Sequence, residues 1–287
     1  MVVTSSQGTF KKMVSPKVKV HPGSGTMFRY AVAETQGHRP SYEDAYATTF
    51  AGQTAAFWVF DGHRGDAAAK FAAEVFPQEL GRASDELPSD QRIQNAFQAV
   101  DQKLRSHLRN PNKGRDNCAG STVVGAFATR NEGDGTYSAK LCNCGDSRGV
   151  VIRAPDEKQT SAAHVYIRLP ESLDSIRDAQ NANWDKDASW LPEWPAVVET
   201  IDHKPSLWAE RVRIEAAGGT VCGGRCARLD GNLAVSRGIG DFDFKCDLER
   251  SPAEQKVSCV PDIYEVKGLA PGSLTCASAT IFEIPAL

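Results

Sequence analysis

The sequence lacks several features that would assign it to a common class of protein. No CxxC pair occurs among its eight cysteines, which argues against a zinc ribbon. No apolar run approaches the roughly 18 residues that a transmembrane helix needs. The opening segment MVVTSSQGTFKKMVSPK has no apolar signal-peptide core, and Val2 in place of glycine predicts no N-myristoylation. We therefore expect a cytoplasmic or nuclear protein with reduced cysteines.

The charge of the chain also gives little indication of its function. The formal net charge is only −3, and the basic residues form no long run. Binding to nucleic acid or to a membrane surface is therefore not predicted.

Composition indicates a tail, a large domain and an insertion within that domain. Residues 1–26 are polar and rich in Lys, Ser, Pro and Gly, so we predict a flexible tail. Residues 27–287 have the length and composition of one large domain. Within it, residues 154–196 are polar but carry three tryptophans and four prolines, which indicates an inserted loop or small subdomain. Exposed aromatic residues there would suit a protein partner.

Hydrophobic patterns predict both helices and strands. Residues 90–108 form a helix by the three- and four-residue spacing of their apolar residues, and 55–60 (AAFWVF) form a short buried strand. The other strands cluster as hairpins, such as 120–129 and 137–145 around a turn-rich RNEGDG. This arrangement favours an antiparallel α+β architecture.

Acidic residues stand at four places where strands end or turn, namely Glu43-Asp44, Asp61, Asp146 and Asp241. A carboxylate at the end of a buried strand is unfavourable unless it is paired or holds a metal. Mg²⁺ and Mn²⁺ prefer oxygen ligands. The missing side chain of Gly62 would let its carbonyl approach such an ion. The pattern therefore predicts a metal site at converging strand ends.

Seven segments occur in an order that resembles a known family. They are QGHRPSYEDA (36–45), FWVFDGHRG (57–65), GSTVV (120–124), CNCGDSRGVV (142–151), DHKPSLWAERVRIEAAGGTV (202–221), DGNLAVSRGIGDFDFK (230–245) and VSCVPDIYEV (257–266). Together they resemble the metal-dependent protein phosphatase 2C family, also called PPM. The resemblance extends from Phe28 to Val266 apart from the insertion.

The resemblance implies a fold and a reaction. The fold is a four-layer αββα sandwich of two antiparallel sheets, here with its last elements missing. The reaction is hydrolysis of phosphoserine and phosphothreonine by metal-bound hydroxide, with two Mg²⁺ or Mn²⁺ ions and a weaker third. The implied partners are phosphoprotein substrates, and we expect a monomer.

The resemblance also implies metal ligands. Asp61 would bridge two ions, and Gly62 would give its carbonyl to one of them. Glu43 would hold a metal directly or through water, and Asp241 would bind the other ion. Asp146, with or without Asp241, would serve the third.

Three further residues receive supporting roles from the same resemblance. Arg39 would clamp the substrate phosphate, since a guanidinium offers two parallel donors to phosphate oxygens. His63 would protonate the leaving Ser or Thr oxygen as general acid. Asp44 would support the ligands without binding a metal.

The end of the chain departs from the family pattern. An apolar strand ending in Asp-Gly should follow PDIYEV, but Ala279-Thr280 occupies that place and no later Asp-Asn occurs. One ion would lose a charged ligand, which should weaken its binding. Two interpretations therefore remain. The chain is either a working phosphatase or a truncated or degenerate relative, a pseudophosphatase that only binds phosphoproteins or partners.

A third possibility is a cysteine phosphatase, which uses a Cys-x5-Arg motif with a thiolate nucleophile. The sequence has two matches, Cys142 to Arg148 and Cys222 to Arg228. Neither has a histidine before the cysteine, and both lie in segments that the phosphatase 2C pattern already accounts for.

Overall fold

The computed structural model describes residues 18–24, 28–37, 39–80, 86–109, 118–152, 166–168, 170, 196–277 and 280–283. Its strands are, in chain order, β1 Lys19–Ser24, β2 Arg29–Glu34, β3 Ala45–Ala51, β4 Thr54–Phe60, β5 Gly62–His63, β6 Gly120–Ser121, β7 Val123–Arg130, β8 Tyr137–Cys144, β9 Gly149–Ile152, β10 Tyr166–Arg168, β11 Ala196–Glu199, β12 Val221–Cys222, β13 Arg228–Leu229, β14 Ile239–Gly240, β15 Asp262–Leu269, β16 Leu274–Ala277 and β17 Thr280–Glu283. Its helices are α1 Ala67–Glu79, α2 Asp90–Leu108 and α3 Trp208–Ala216.

Two six-stranded antiparallel sheets form the body of the fold. Sheet 1 has the order β1-β2-β17-β16-β9-β11, and sheet 2 has the order β10-β15-β8-β7-β4-β3. One buried cluster joins Val151 and Val198 of sheet 1 to Phe57, Leu141 and Tyr264 of sheet 2. The sheets therefore face each other across a shared core. This arrangement confirms the α+β class and its two antiparallel sheets.

Strand β4 lies at the centre of this packing. All seven of its residues are buried, and successive side chains point to opposite faces. Phe57 enters the core between the sheets. Trp58 enters a second core under the helices, where its ring centroid is 5.0 Å from that of Phe76. A strand whose two faces are both buried does not alternate between apolar and polar residues. This explains the apolar run that predicted β4.

Helices α1 and α2 cover the outer face of sheet 2. The side chain of Ser89 accepts a hydrogen bond from the Arg92 amide at the start of α2, as a helix N-cap does. Phe97 of α2 and Phe76 of α1 pack edge to face, with ring centroids 4.8 Å apart. The predicted helix over residues 90–108 is confirmed. None of the described helices is long and apolar enough to cross a membrane.

The structure corrects the predicted tail and extends the account of the insertion. The tail over residues 1–26 is wrong for Lys19–Ser24, which form β1 and pair with β2 along their whole length. Backbone hydrogen bonds make this ladder, so exposed polar side chains do not prevent it. In the insertion, Tyr166–Arg168 add an edge strand to β15. The remainder, 154–165, 169 and 171–195, lies outside the described residues, and the boundaries of the domain stay a prediction.

Candidate metal and phosphate site

The site begins where β4 ends. Asp61 follows the strand directly, and its carbonyl accepts a hydrogen bond of 3.0 Å from the Thr122 amide. Strand β5, Gly62–His63, pairs with β6, and β6 pairs with β14. This small three-stranded sheet brings the end of β4 next to the end of β14, where Asp241 follows.

A cleft of 390 Å³ opens at this edge. It is lined by Arg39, Asp61, Gly62, His63, Arg64, Thr122, Asp146, Arg228, Asn232, Leu233, Ala234 and Val235. A recess of 160 Å³ shares Arg39, Asp61 and Gly62 with the cleft and adds Glu43 and Asp44. The structure describes eight of the predicted site residues. Seven of them line the cleft or the recess, and the eighth, Asp241, does not.

The carboxylates of this edge repel one another. Burial, followed by the charge and hydrogen bond of Asp61, raises the pKa of Asp44 from 3.8 to about 6, while Arg39 opposes the shift. Burial also raises the pKa of Asp146, and Asp61 adds to this while Lys204 opposes it. Asp61 thus adds to the effect of burial on two neighbouring carboxylates, Asp44 and Asp146.

This donor set fits a hard divalent cation. The crowded groups are oxygen donors, which Mg²⁺ and Mn²⁺ prefer, and such ions keep several water ligands. Within the described ranges, no three His, Cys, Asp or Glu side chains converge closely enough to form a complete site by themselves. Asp61, Asp146, Glu43 and Asp44 supply such oxygen donors at this edge.

Asp241 takes a different place from the one predicted. It is fully buried, and its Oδ2 lies 2.7 Å from His63 Nε2. Its Oδ1 has no hydrogen-bond partner among the described residues, and the nearest cation is Arg64, with Nη1 at 3.8 Å. A Cβ at Gly120 would fall 2.1 Å from Asp241 Oδ2, so only glycine leaves room for this pairing. Asp241 thus supports His63 from behind and does not line the cleft; its role as a metal ligand stays a prediction.

Glu43 is held at the rim of the recess. Ser41 Oγ donates a hydrogen bond of 2.8 Å to Glu43 Oε1. The Glu43 backbone also approaches β5 closely, because a Cβ built on Gly62 would lie 2.3 Å from the Glu43 carbonyl oxygen.

We expect Gly62→Ala to lower the free energy of unfolding by about 2 kcal/mol, as overpacking a tight interior contact does. The clashing atom is the backbone carbonyl oxygen of Glu43, so the new methyl group fits only if the backbone of Gly62 or of Glu43 moves. Urea denaturation of the variant measures the effect. Gly133→Ala is the matched control, since a Cβ there meets nothing within 4 Å. Equal stability of the two variants would contradict the close approach.

A buried network that the sequence interpretation missed supports the Asp146 loop. Glu210 of α3 accepts from Arg237 Nη2 at 2.8 Å, and Arg237 Nη1 donates to Asp262 at 2.7 Å. Asp262 Oδ2 lies 3.0 Å from His203 Nε2, and the Gly145 amide donates to His203 Nδ1 at 3.1 Å.

Gly145 immediately precedes Asp146, so this chain of contacts fixes the loop that presents the Asp146 carboxylate. The residues, including Gly145, lie in four of the segments that carried the resemblance. Charge alone gave no signal for them, because isolated acidic and basic residues usually lie at the surface.

The degenerate metal position, Ala279, lies outside the described residues, and its consequence stays a prediction. The described strands on either side, β16 and β17, pair with each other as far as Ala277 and Thr280. Ala277 pairs with Gly149, three residues after Asp146, and Thr280 pairs with Val32 of β2. The end of this part of the sheet therefore lies close in sequence to Asp146.

The geometry argues against the cysteine phosphatase reading. Cys142 is fully buried in sheet 2, and burial raises the pKa of its thiol far above the usual value, so it stays protonated. Arg228, the partner of Cys222, donates to the Asn232 carbonyl at 2.8 Å. Neither motif has a thiolate cradled by its arginine.

Comparisons with known proteins agree with this geometry. A family model described as protein phosphatase 2C matches residues 28–171 and 197–270. Protein phosphatase 1A of Mus musculus is 29% identical over 266 residues, covering 88% of this chain and 57% of the relative. Protein phosphatase 1B of Bos taurus is 28% identical over 271 residues, covering 88% and 46%. The chain thus spans about half the length of these curated relatives.

Solved structures show the same fold. A phosphatase from a pathogenic strain of Toxoplasma gondii matches with a TM-score of 0.68 and 23% identity, covering 91% of this chain and 78% of that one. A serine-threonine phosphatase 2C from Toxoplasma gondii matches with a TM-score of 0.60 and 19% identity, covering 91% and 81%.

Proposed function

Because the chain belongs to the protein phosphatase 2C family, we propose that it hydrolyses phosphoserine and phosphothreonine in phosphoproteins with the help of Mg²⁺ or Mn²⁺. The observation that carries this proposal is the cleft itself. It combines crowded carboxylates with Arg39 and His63 at one sheet edge. That combination provides for cation binding, phosphate binding and proton transfer in one place.

The proposed ligands divide by position. Asp61 and the Gly62 carbonyl would hold two ions at the end of β4, with Glu43 at the rim of the recess. Asp241 would contribute to the second ion, and Asp146, with or without Asp241, to a weaker third. Asp44, which shares a hydrogen bond with Asp61, would orient that carboxylate. Bound cations would neutralise phosphate charge and acidify water at neutral pH.

The protein's own groups would handle the substrate. Arg39 is exposed at the mouth of the cleft and would grip two oxygens of the phosphate through its guanidinium fork. His63 would protonate the departing Ser or Thr oxygen. Because Nε2 faces Asp241 at 2.7 Å, Nδ1 is the nitrogen left to donate that proton. The buried Asp241 carboxylate would hold the plane of the ring through this contact.

The test is hydrolysis of a phosphothreonine peptide by the whole chain, followed as release of inorganic phosphate. We expect turnover in millimolar Mn²⁺ and none in excess EDTA, with recovery when Mn²⁺ is restored. Asp134→Asn is the control for removing one acidic group, since Asp134 lies in the β7–β8 turn, bonded to Thr136. The absence of turnover at every Mn²⁺ concentration would reject the enzyme and leave a phosphoprotein-binding module.

We further propose an intracellular place of action, in the cytoplasm or nucleus. The support is that all seven cysteines with described side chains are free thiols, as in reducing compartments. A monomer and a partner at the 154–196 insertion stay predictions.

A further inference from the structure

Arg64 holds an unusual backbone conformation beside the reaction centre. It follows His63 directly, and its φ of 59° lies in the left-handed region. The other described non-glycine residues with positive φ are Asp230 and Asp241, and aspartate tolerates this region better than most residues. Glycine would adopt the same backbone without steric conflict. A long cationic side chain at this position therefore calls for a reason beyond folding.

The surroundings of Arg64 leave its donors largely uncommitted. The side chain is 27% exposed and lines the cleft. Its Nη1 lies 3.8 Å from Asp241 Oδ1, beyond hydrogen-bond distance, and its Cζ lies 5.7 Å from the Phe244 ring centroid. The guanidinium makes no hydrogen bond to any residue in the described part of the chain. By contrast, Arg228 on the same cleft already donates to a carbonyl.

Arg64 and His63 share one carboxylate. Oδ2 of Asp241 faces the His63 ring, and Oδ1 faces the Arg64 guanidinium. The imidazole and the guanidinium therefore stand side by side. If His63 protonates the leaving oxygen of the substrate, residues that flank the phosphorylated residue must pass close to Arg64.

We propose that Arg64 forms an anion-binding subsite that selects substrates with an acidic group next to the phosphorylated residue. The inference rests on the proposed function. The chemistry it recognises is an anionic oxygen pair, which a guanidinium binds through two parallel hydrogen bonds. Either an Asp or Glu carboxylate or a second phosphate supplies that pair.

The experiment compares three phosphothreonine peptides of equal length, with Gln, Glu or a second phosphothreonine beside the scissile residue. We expect the whole chain with Mn²⁺ to prefer the two anionic peptides. Arg64→Gly suits the left-handed backbone at this position. It should reduce the ratio of kcat/KM for anionic over neutral peptides by about tenfold, mainly through KM, as loss of one charge-assisted pair does. The Glu and second-phosphate peptides show which source of anion is preferred.

Two further variants separate charge from geometry. Arg64→Lys keeps the charge without the fork and should retain part of the selectivity. Arg211→Ala removes a cation on α3 outside the cleft and should leave the ratio unchanged. Equal selectivity in Arg64→Gly and the parent would overturn the proposal. So would an equal fall in kcat for all three peptides, which would mark Arg64 as a support for Asp241 and His63.

Binding measurements keep this test independent of turnover. Fluorescence anisotropy with labelled versions of the same peptides gives affinities even if no hydrolysis occurs. Loss of selective binding in Arg64→Gly would then support the subsite while the proposed enzyme fails. Turnover without any preference for anionic peptides would reject the subsite alone.

Discussion

Asp61→Ala should abolish metal-dependent turnover and at the same time stabilise the metal-free protein. If Asp61 holds the ions as proposed, its loss should remove several kcal/mol of catalysis, or about a thousandfold in rate. Stability moves the opposite way because Asp61 raises the pKa of both Asp44 and Asp146. Without cations, Asp61 disfavours the ionised forms of Asp44 and Asp146, in addition to the larger effect of burial. We expect a gain of about 1 kcal/mol in unfolding free energy, typical when a strained functional site is relaxed.

Thermal unfolding in EDTA and in Mn²⁺ measures both sides of this prediction. The parent should gain more from Mn²⁺ than the variant does, since a ligand that binds only the folded state stabilises it. Asp134→Ala, which removes an exposed turn carboxylate, should change neither the turnover nor the response to Mn²⁺. Lower stability of Asp61→Ala in EDTA would show that the carboxylates do not crowd each other as described.

The same comparison has a predictable pH dependence in EDTA. The folded pKa of Asp44 is raised to about 6 from an ordinary 3.8. Its contribution to stability is therefore present at low pH and lost as pH rises through about 6. The advantage of Asp61→Ala over the parent should accordingly be larger at pH 7.5 than at pH 5.

Arg237→Met should lower the free energy of unfolding by about 4 kcal/mol, the range found when one partner of a buried ion pair is removed. Arg237 joins Glu210, which is 1% exposed, to Asp262, which is 5% exposed. Methionine would fill the space but leave two buried carboxylates short of their cation. Urea denaturation measures the loss.

Two variants refine this second prediction. Glu210→Gln combined with Arg237→Met should be less destabilising than the sum of the single changes, because the partners depend on each other. Arg211→Ala breaks an exposed pair with Glu215 on the same helix and should change stability by less than about 1 kcal/mol. Additive effects of the buried pair would contradict the network.

Acid unfolding reports on the network as well. The neighbouring arginines hold the pKa of Glu210 at about 2 against the effect of burial. A carboxyl with a lowered folded pKa stabilises the protein fully above its ordinary pKa and loses that contribution as pH falls. The parent should thus lose stability between about pH 4.5 and pH 2, and Glu210→Gln should lack this part of the loss.

The sequence predicted the elements that carry local patterns. Helix α2 follows from apolar spacing, and β4 follows from an apolar run that ends on Asp61. Strand β1 escaped prediction because backbone pairing needs no apolar side chain. The Asp241–His63 contact also escaped, since its partners are 178 residues apart and only the small sheet of β5, β6 and β14 brings them together.

The buried network escaped for a related reason. Glu210 and Arg237 are 27 residues apart, and nothing in either segment marks its charge as buried. Long-range pairing of opposite charges becomes visible only once the fold has removed both from water.

The imidazole of His203 connects the buried ion pairs to the loop that carries Asp146. Its Nδ1 accepts from the Gly145 amide, so the ring proton must sit on Nε2, from which it is donated to Asp262. The ring is thereby locked in one neutral tautomer, with its polarity directed from the backbone of the loop to the buried carboxylate. The hydrogen bond that holds the Asp146 loop therefore requires that Nδ1 of His203 carries no proton.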